Sequence, residues 1–158
     1  MANQVFNIAK GHVNEYVARV LGNDPAAATL VVVLFKVSEA DATLIDYDLL
    51  STLIAGSNTE CDFDNYTRTL LTDSGEGLAV TVDDTNDRKE ADFNDITITS
   101  AGGGTNNTLT KAVICYDPSS SGVTDSVMIP LTHHDFVVTT NGNDLIIQVD
   151  AAGFYRAA

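Results

Sequence analysis

Three histidines and two cysteines are the side chains of this sequence best suited to nucleophilic, proton-transfer or metal chemistry. Two of the histidines adjoin an aspartate, His133-His134-Asp135, in the stretch LTHHDFVVTTNGNDLIIQ. Imidazole beside carboxylate can relay a proton or hold a metal. A zinc site needs three or four ligands, and Cys61 and Cys115 lack the CxxC spacing that would supply a pair. A Cys–His nucleophile could draw on either thiol, but Cys115 lies inside AVICYD, an apolar run that reads as core. If the stretch is extended, His133 and His134 point to opposite faces and cannot line one pocket. The serine-hydrolase pattern GxSxG is absent. Two acids suffice for a glycosidase, yet the chain has no Trp to line a sugar cleft.

Two further motifs invite chemistry and read more simply as loops. AGGGTNN (Ala101 to Asn107) is glycine-rich, but the segment after it has the pattern of a strand, not of the helix that a phosphate loop requires. VDDTNDRKEAD gathers Asp83, Asp84, Asp87, Glu90 and Asp92, without the residue order of an EF-hand. It reads as a solvated acidic loop, with a weak structural cation as the alternative. The expectation is no catalytic residue, no metal ligand and no cofactor.

The elements that must position these residues are mostly strands. TLVVVLFKV (Thr29 to Val37) is β-branched and apolar on both faces, which predicts a central strand. TLIDYDLLSTLIAG (Thr43 to Gly56) predicts one helix, with Ile45, Leu49, Leu50, Leu53 and Ile54 in a stripe and Gly56 at its end. Residues 12–21 fit a helix or a strand equally. Strands are expected at 65–72, 76–84, 95–100, 110–117 and 125–131, the last with Pro130 marking an edge or bend. Asn141-Gly142 predicts a hairpin joining HDFVVTT to DLIIQVD. The fold class expected is mainly β: an antiparallel sandwich or barrel-like single domain, 1–158, with one packed helix near 43–56 and an extended N-terminal arm, 1–11.

The acidic balance narrows the partners. Acidic residues number 22 against 8 basic ones, a net charge of −14, so phosphate backbones and anionic membranes are repelled. The first residues, MANQVFNIAKGH, lack the apolar core of a signal peptide, so synthesis in a reducing cytoplasm with buried thiols is expected.

Several segments resemble small structural proteins of tailed bacteriophages. They are EADATLIDYDLLSTLIAG, NYTRTLL, DDTNDRKEADFNDITITSAGGGTNNTLTKAVICYDP and DSVMIPLTHHDFVVTTNGNDLIIQVDAAGFYRA, and the likeness runs from about Asn7 onward. Related sequences often carry Thr-Trp before the glycine turn, where this chain has TITS, Thr97 to Ser100. The resemblance implies a virion component and no catalytic residues. By size and acidity, it points most to a capsid decoration (cement) protein on the outside of the head, bridging major capsid protein subunits. A homo-oligomer is implied, a trimer ahead of a dimer. A tail, neck or host-recognition module is the alternative, and a small hydrolase a third reading. Two finer expectations concern interfaces. Phe6 and Ile8 on the arm should be covered by a partner, and deleting residues 1–10 should weaken assembly while leaving the domain folded. Phe154 and Tyr155 near the C-terminus should pack on the domain or on a neighbour.

Overall fold

The computed structural model describes residues 4–72, 74–119 and 122–157. Met1 to Asn3, part of the expected arm, lie outside the described residues. Strand β1 is Gln4–Val5 and helix α1 is Val13–Leu21, with a 3-10 turn, Asn7–Ala9, between them. Strand β2 (Thr29–Val37) is followed by two short helices, α2 (Asp41–Leu44) and α3 (Leu50–Ala55). Strands β3 (Thr59–Glu60), β4 (Thr69–Leu71), β5 (Ala79–Asp83), β6 (Arg88–Asp92) and β7 (Ile96–Ile98) come next. Strands β8 (Thr108–Asp117), β9 (Ile129–Thr139), β10 (Leu145–Ile147) and β11 (Tyr155–Ala157) complete the chain. Every pairing is antiparallel.

β2 is the centre, as its composition requires. Thr29 to Phe35 are all buried, because both faces of the strand are covered. It pairs with β8 from Thr29↔Asp117 to Phe35↔Lys111. Its other edge takes β4 opposite Leu30–Val32 and β3 opposite Phe35 and Val37. The sheet order is β1-β9-β8-β2-β3, with β4 also on β2. Side-chain alternation then splits the core in two. Leu30, Val32, Leu34, Ile114 and Tyr116 face α1, which buries Val13, Val17 and Val20, and the small sheets β11-β6-β5 and β10-β7. Val31, Val33, Phe35, Val113 and Cys115 face Leu44, Leu50, Leu53, Met128 and Phe6.

The single helix expected at 43–56 is two helices. Leu49 is extended (φ −135°, ψ 146°), and the amides of Leu50 and Ser51 donate to Met128 O and Asp125 O at 3.0 and 3.1 Å. Tertiary acceptors thus replace the carbonyls that a continuous helix would supply. Gly56 does end α3, but at φ −71°, outside the left-handed region. Its role is close approach: a Cβ there would lie 2.2 Å from the Tyr47 hydroxyl. The ambiguity over 12–21 resolves to helix α1.

The hairpin expected at Asn141-Gly142 does not form. β9 and β10 part company across it: β9 stays with β8 and β1, and β10 pairs with β7. The Gly142 amide donates to Ala101 O at 2.8 Å and the Ala101 amide to Asn143 O at 2.9 Å. The Asn-Gly loop is therefore docked on the glycine-rich turn. The acidic loop expected over 83–92 contains β6, hidden in the sequence because RKEAD has one apolar residue, Ala91, which is buried. Pro130 falls inside β9, where the register against β8 shifts between Ile114 and Cys115, so its missing N–H breaks no regular ladder.

The N-terminal segment is also corrected. Residues 4–11 are not a free extended arm. Gln4 and Val5 pair with His133 and Thr132, and the amides of Phe6 and Asn7 donate to Leu131 O and Ile45 O. Among the described residues, no helix is long and apolar enough to cross a membrane.

Candidate functional site

β9 carries both adjacent histidines, and its alternation separates them as expected. His133 is opposite Val113, in the cluster beneath α2 and α3, whereas His134 is opposite Ala112, in the cluster beneath α1. His133 is fully buried, and neither ring nitrogen has a hydrogen-bond partner among the described residues. The Phe6 ring stands edge-on to it, with centroids 5.5 Å apart at 80°. Burial holds its pKa below the ordinary histidine value, and Lys111 adds to this, against Asp41 and Asp135. His134 places Nε2 3.0 Å from Thr132 Oγ1, and burial, then the charge of His133, pushes its pKa down to about 4. Both rings are therefore neutral at pH 7.

His134 opens onto a groove of about 350 Å³ between β1, β9 and β11, lined also by Gln4, Val5, Thr132, Phe154 and Tyr155. β11 reaches this place through a tight turn at Gly153 (φ +81°), where a Cβ would come within 2.2 Å of Ala91 O. Phe154 stacks on Phe93 with centroids 5.1 Å apart, and Tyr155 pairs with Ala91 of β6. Phe154 and Tyr155 thus pack on the domain and also border the groove. Phe6 does not meet a partner from an exposed position: it has no exposed surface and fills the domain's own core. An edge strand backed by a buried aromatic gains more from the chain's own apolar cluster than from solvent. Ile8 is the member of the expected set that remains open, at 41% exposed, beside a separate depression formed with His12, Tyr16 and Tyr116.

Charged side chains that sequence patterns do not single out tie these elements together. Lys111, buried in β8, joins Asp41 of α2 (2.6 Å) to Asp135 of β9. Its signal was a lysine inside an otherwise apolar strand, since a buried ammonium needs carboxylates. Arg68 forms a fork on Glu60, with Nε to Oε1 at 2.8 Å and Nη2 to Oε2 at 2.7 Å. Its Nη1 donates to Asp125 Oδ1 and Gly122 O. Nothing local in the sequence pairs residues this far apart.

Two carboxylates of the acidic hairpin β5–β6, Asp83 and Glu90, are engaged internally. Asp83 accepts from the Thr85 and Asn86 amides and faces Arg88 at 3.1 Å, and Glu90 pairs with Arg88 at 2.7 Å. Among the described residues, no three His, Cys, Asp or Glu side chains are arranged to hold a metal ion. Cys61 and Cys115 are free and buried. Desolvation pushes the Cys61 thiol up to about 12 and raises Cys115 as well, so both are held as thiols. Comparison with protein-family models, with curated proteins and with solved structures gave no significant match.

Proposed function

We propose that this chain is a non-enzymatic structural component of a tailed-phage virion, set on the outside of the head, where it bridges major capsid protein subunits. The observation that carries this reading is the resemblance of four segments to small phage virion proteins, together spanning most of the chain. Those segments include β8 and β9, so the likeness falls on the scaffold and not on one loop. The physical character is compatible. A sheet covered on both faces, with its buried cations paired to carboxylates, is rigid enough to act by surface contact alone. Exposed aliphatic side chains such as Val137 and Val123, 77% and 75% exposed, offer apolar contact to neighbours. Many copies on one particle multiply weak individual contacts.

The test mixes purified protein with heads that lack it and images the particles by cryo-microscopy. Density for a β-rich domain on the outer lattice, bridging capsid subunits, is the expected result. Absence from heads together with presence at the tail or neck would move the assignment to a tail, neck or host-recognition module.

A further inference from the structure

We infer that the N-terminal segment, residues 4–9, is an acid-released clasp whose trigger is His133. The inference stands on the domain alone and is independent of the virion reading. Three observations meet at this place. His133 is fully buried with both ring nitrogens unpartnered among the described residues, so the site accepts the neutral ring at a cost and the charged ring hardly at all. Phe6 covers the ring edge-on, and among the described residues the strand that leads into Phe6 is held by two residue pairs, Gln4↔His133 and Val5↔Thr132. The segment ends at a ready pivot: Lys10, Gly11 and His12 are exposed, and Gly11 (φ +80°) has no atom within 4 Å of where a Cβ would sit.

The charges around His133 decide the direction of the effect. β8 contributes Lys111, which opposes protonation, and β9 contributes His134, a second neutral imidazole on the other face. α2 contributes Asp41 and β9 Asp135, but both are already engaged by the Lys111 ammonium. Residues 4–9 read QVFNIA and bring no charge of their own. A proton on His133 therefore finds no free carboxylate in place. Water must reach the ring, and the cheapest cover to remove is the two-residue strand with Phe6. On the other side lies the six-stranded sheet. Besides Phe6 in its pocket and the buried Ala9 at its end, the clasp retains the Phe6 and Asn7 amide bonds and one side-chain bond from Asn7 to Asp46. Opening would lift Phe6 off Leu44 and Val113, with which it shares one buried cluster.

Amide hydrogen exchange of the full chain, corrected for intrinsic rates, tests this between pH 7.5 and pH 5. One histidine of ordinary pKa near 6.5, protonated only in the opened form, favours opening at pH 5 by up to about thirtyfold. The amides of Phe6 and Asn7 should lose protection by up to that factor, while those of the peripheral hairpin β5–β6, whose local opening leaves His133 covered, keep theirs. His133→Phe should abolish the pH dependence, and His134→Asn should keep it. If His133→Phe fails to fold, the wild-type ring is followed by NMR, and its titration should coincide with the loss of Phe6 and Asn7 protection. Unchanged protection at pH 5, a loss shared equally by β5–β6, persistence of the effect in His133→Phe, its disappearance in His134→Asn, or ring titration without release would overturn the inference.

Discussion

Arg68 joins three distant stretches, because its fork occupies Glu60 while its remaining nitrogen reaches Asp125 and Gly122. The pair is mostly shielded, so removing one partner leaves charge without compensation. Arg68→Ala should cost about 2–4 kcal/mol, read from the urea midpoint at constant m value. His134 has a different signature. Its folded pKa is pushed down to about 4 by burial, against about 6.5 when unfolded. Between those values the unfolded chain binds a proton that the native chain refuses. Its contribution is therefore complete above pH 6.5, falls as pH drops and levels off near pH 4. The fall is at most roughly 3 kcal/mol, and His134→Asn should flatten the curve of stability against pH in that window. The carboxylates held low by partners, such as Asp62 and Asp83, act below the window, whereas His133 shares it, so His134→Asn removes part of the slope and not all of it.

At the scale of elements, two glycines fix junctions for different reasons. Gly56 lies against the Tyr47 hydroxyl, which donates to Glu39 at 2.8 Å. Gly56→Ala should cost about 1–3 kcal/mol, and less in a Tyr47→Phe background, so a double-mutant cycle in chemical denaturation should show coupling. Gly153→Ala meets a backbone carbonyl at a positive φ, neither of which yields easily. It should cost about 2 kcal/mol or more and strip β11 of exchange protection before the central sheet. The N-terminal segment also belongs to this scale. Deleting residues 1–10 removes Phe6 and Ala9 from the core, so it lowers stability by about 3–5 kcal/mol from Phe6 alone. The sequence predicts an arm whose loss weakens assembly and leaves the domain folded. QVFNI has the composition of an edge strand as much as of an arm, and only its register on β9 separates the two.

For the molecule as a whole, burial on both faces of one sheet accounts for the inert thiols. Cys115 lies beneath the α2–α3 cover, and Cys61 lies in the cluster on the opposite face. Both should react with a thiol reagent at least about a hundredfold more slowly in the native protein than in urea, followed by absorbance of the released chromophore. The β-rich antiparallel architecture, with β2 at its centre, was readable because TLVVVLFKV is apolar on every position that the two cores need. The candidate groove was only half readable. Phe154 and Tyr155 stood out as apolar residues near a terminus, whereas Val5, Thr132 and His134 join them through pairings between strands far apart in sequence.

The sequence by itself determined most of the extended stretches, with β6 and residues 12–21 as exceptions, where the central buried strands β2 and β8 lie, that His133 and His134 face opposite ways, and how acidic the chain is. These properties come from side-chain type and a two-residue period, which act locally. Only the tertiary structure decided which strand pairs with which. Asn141-Gly142 has the composition of a tight hairpin, yet β10 goes to β7, because the loop gains hydrogen bonds with Ala101 that a two-strand turn lacks. The helix over 43–56 broke for the same reason, when Met128 and Asp125 offered acceptors to Leu50 and Ser51. Backbone groups take partners wherever the packed chain presents them, and a local pattern cannot state where that will be.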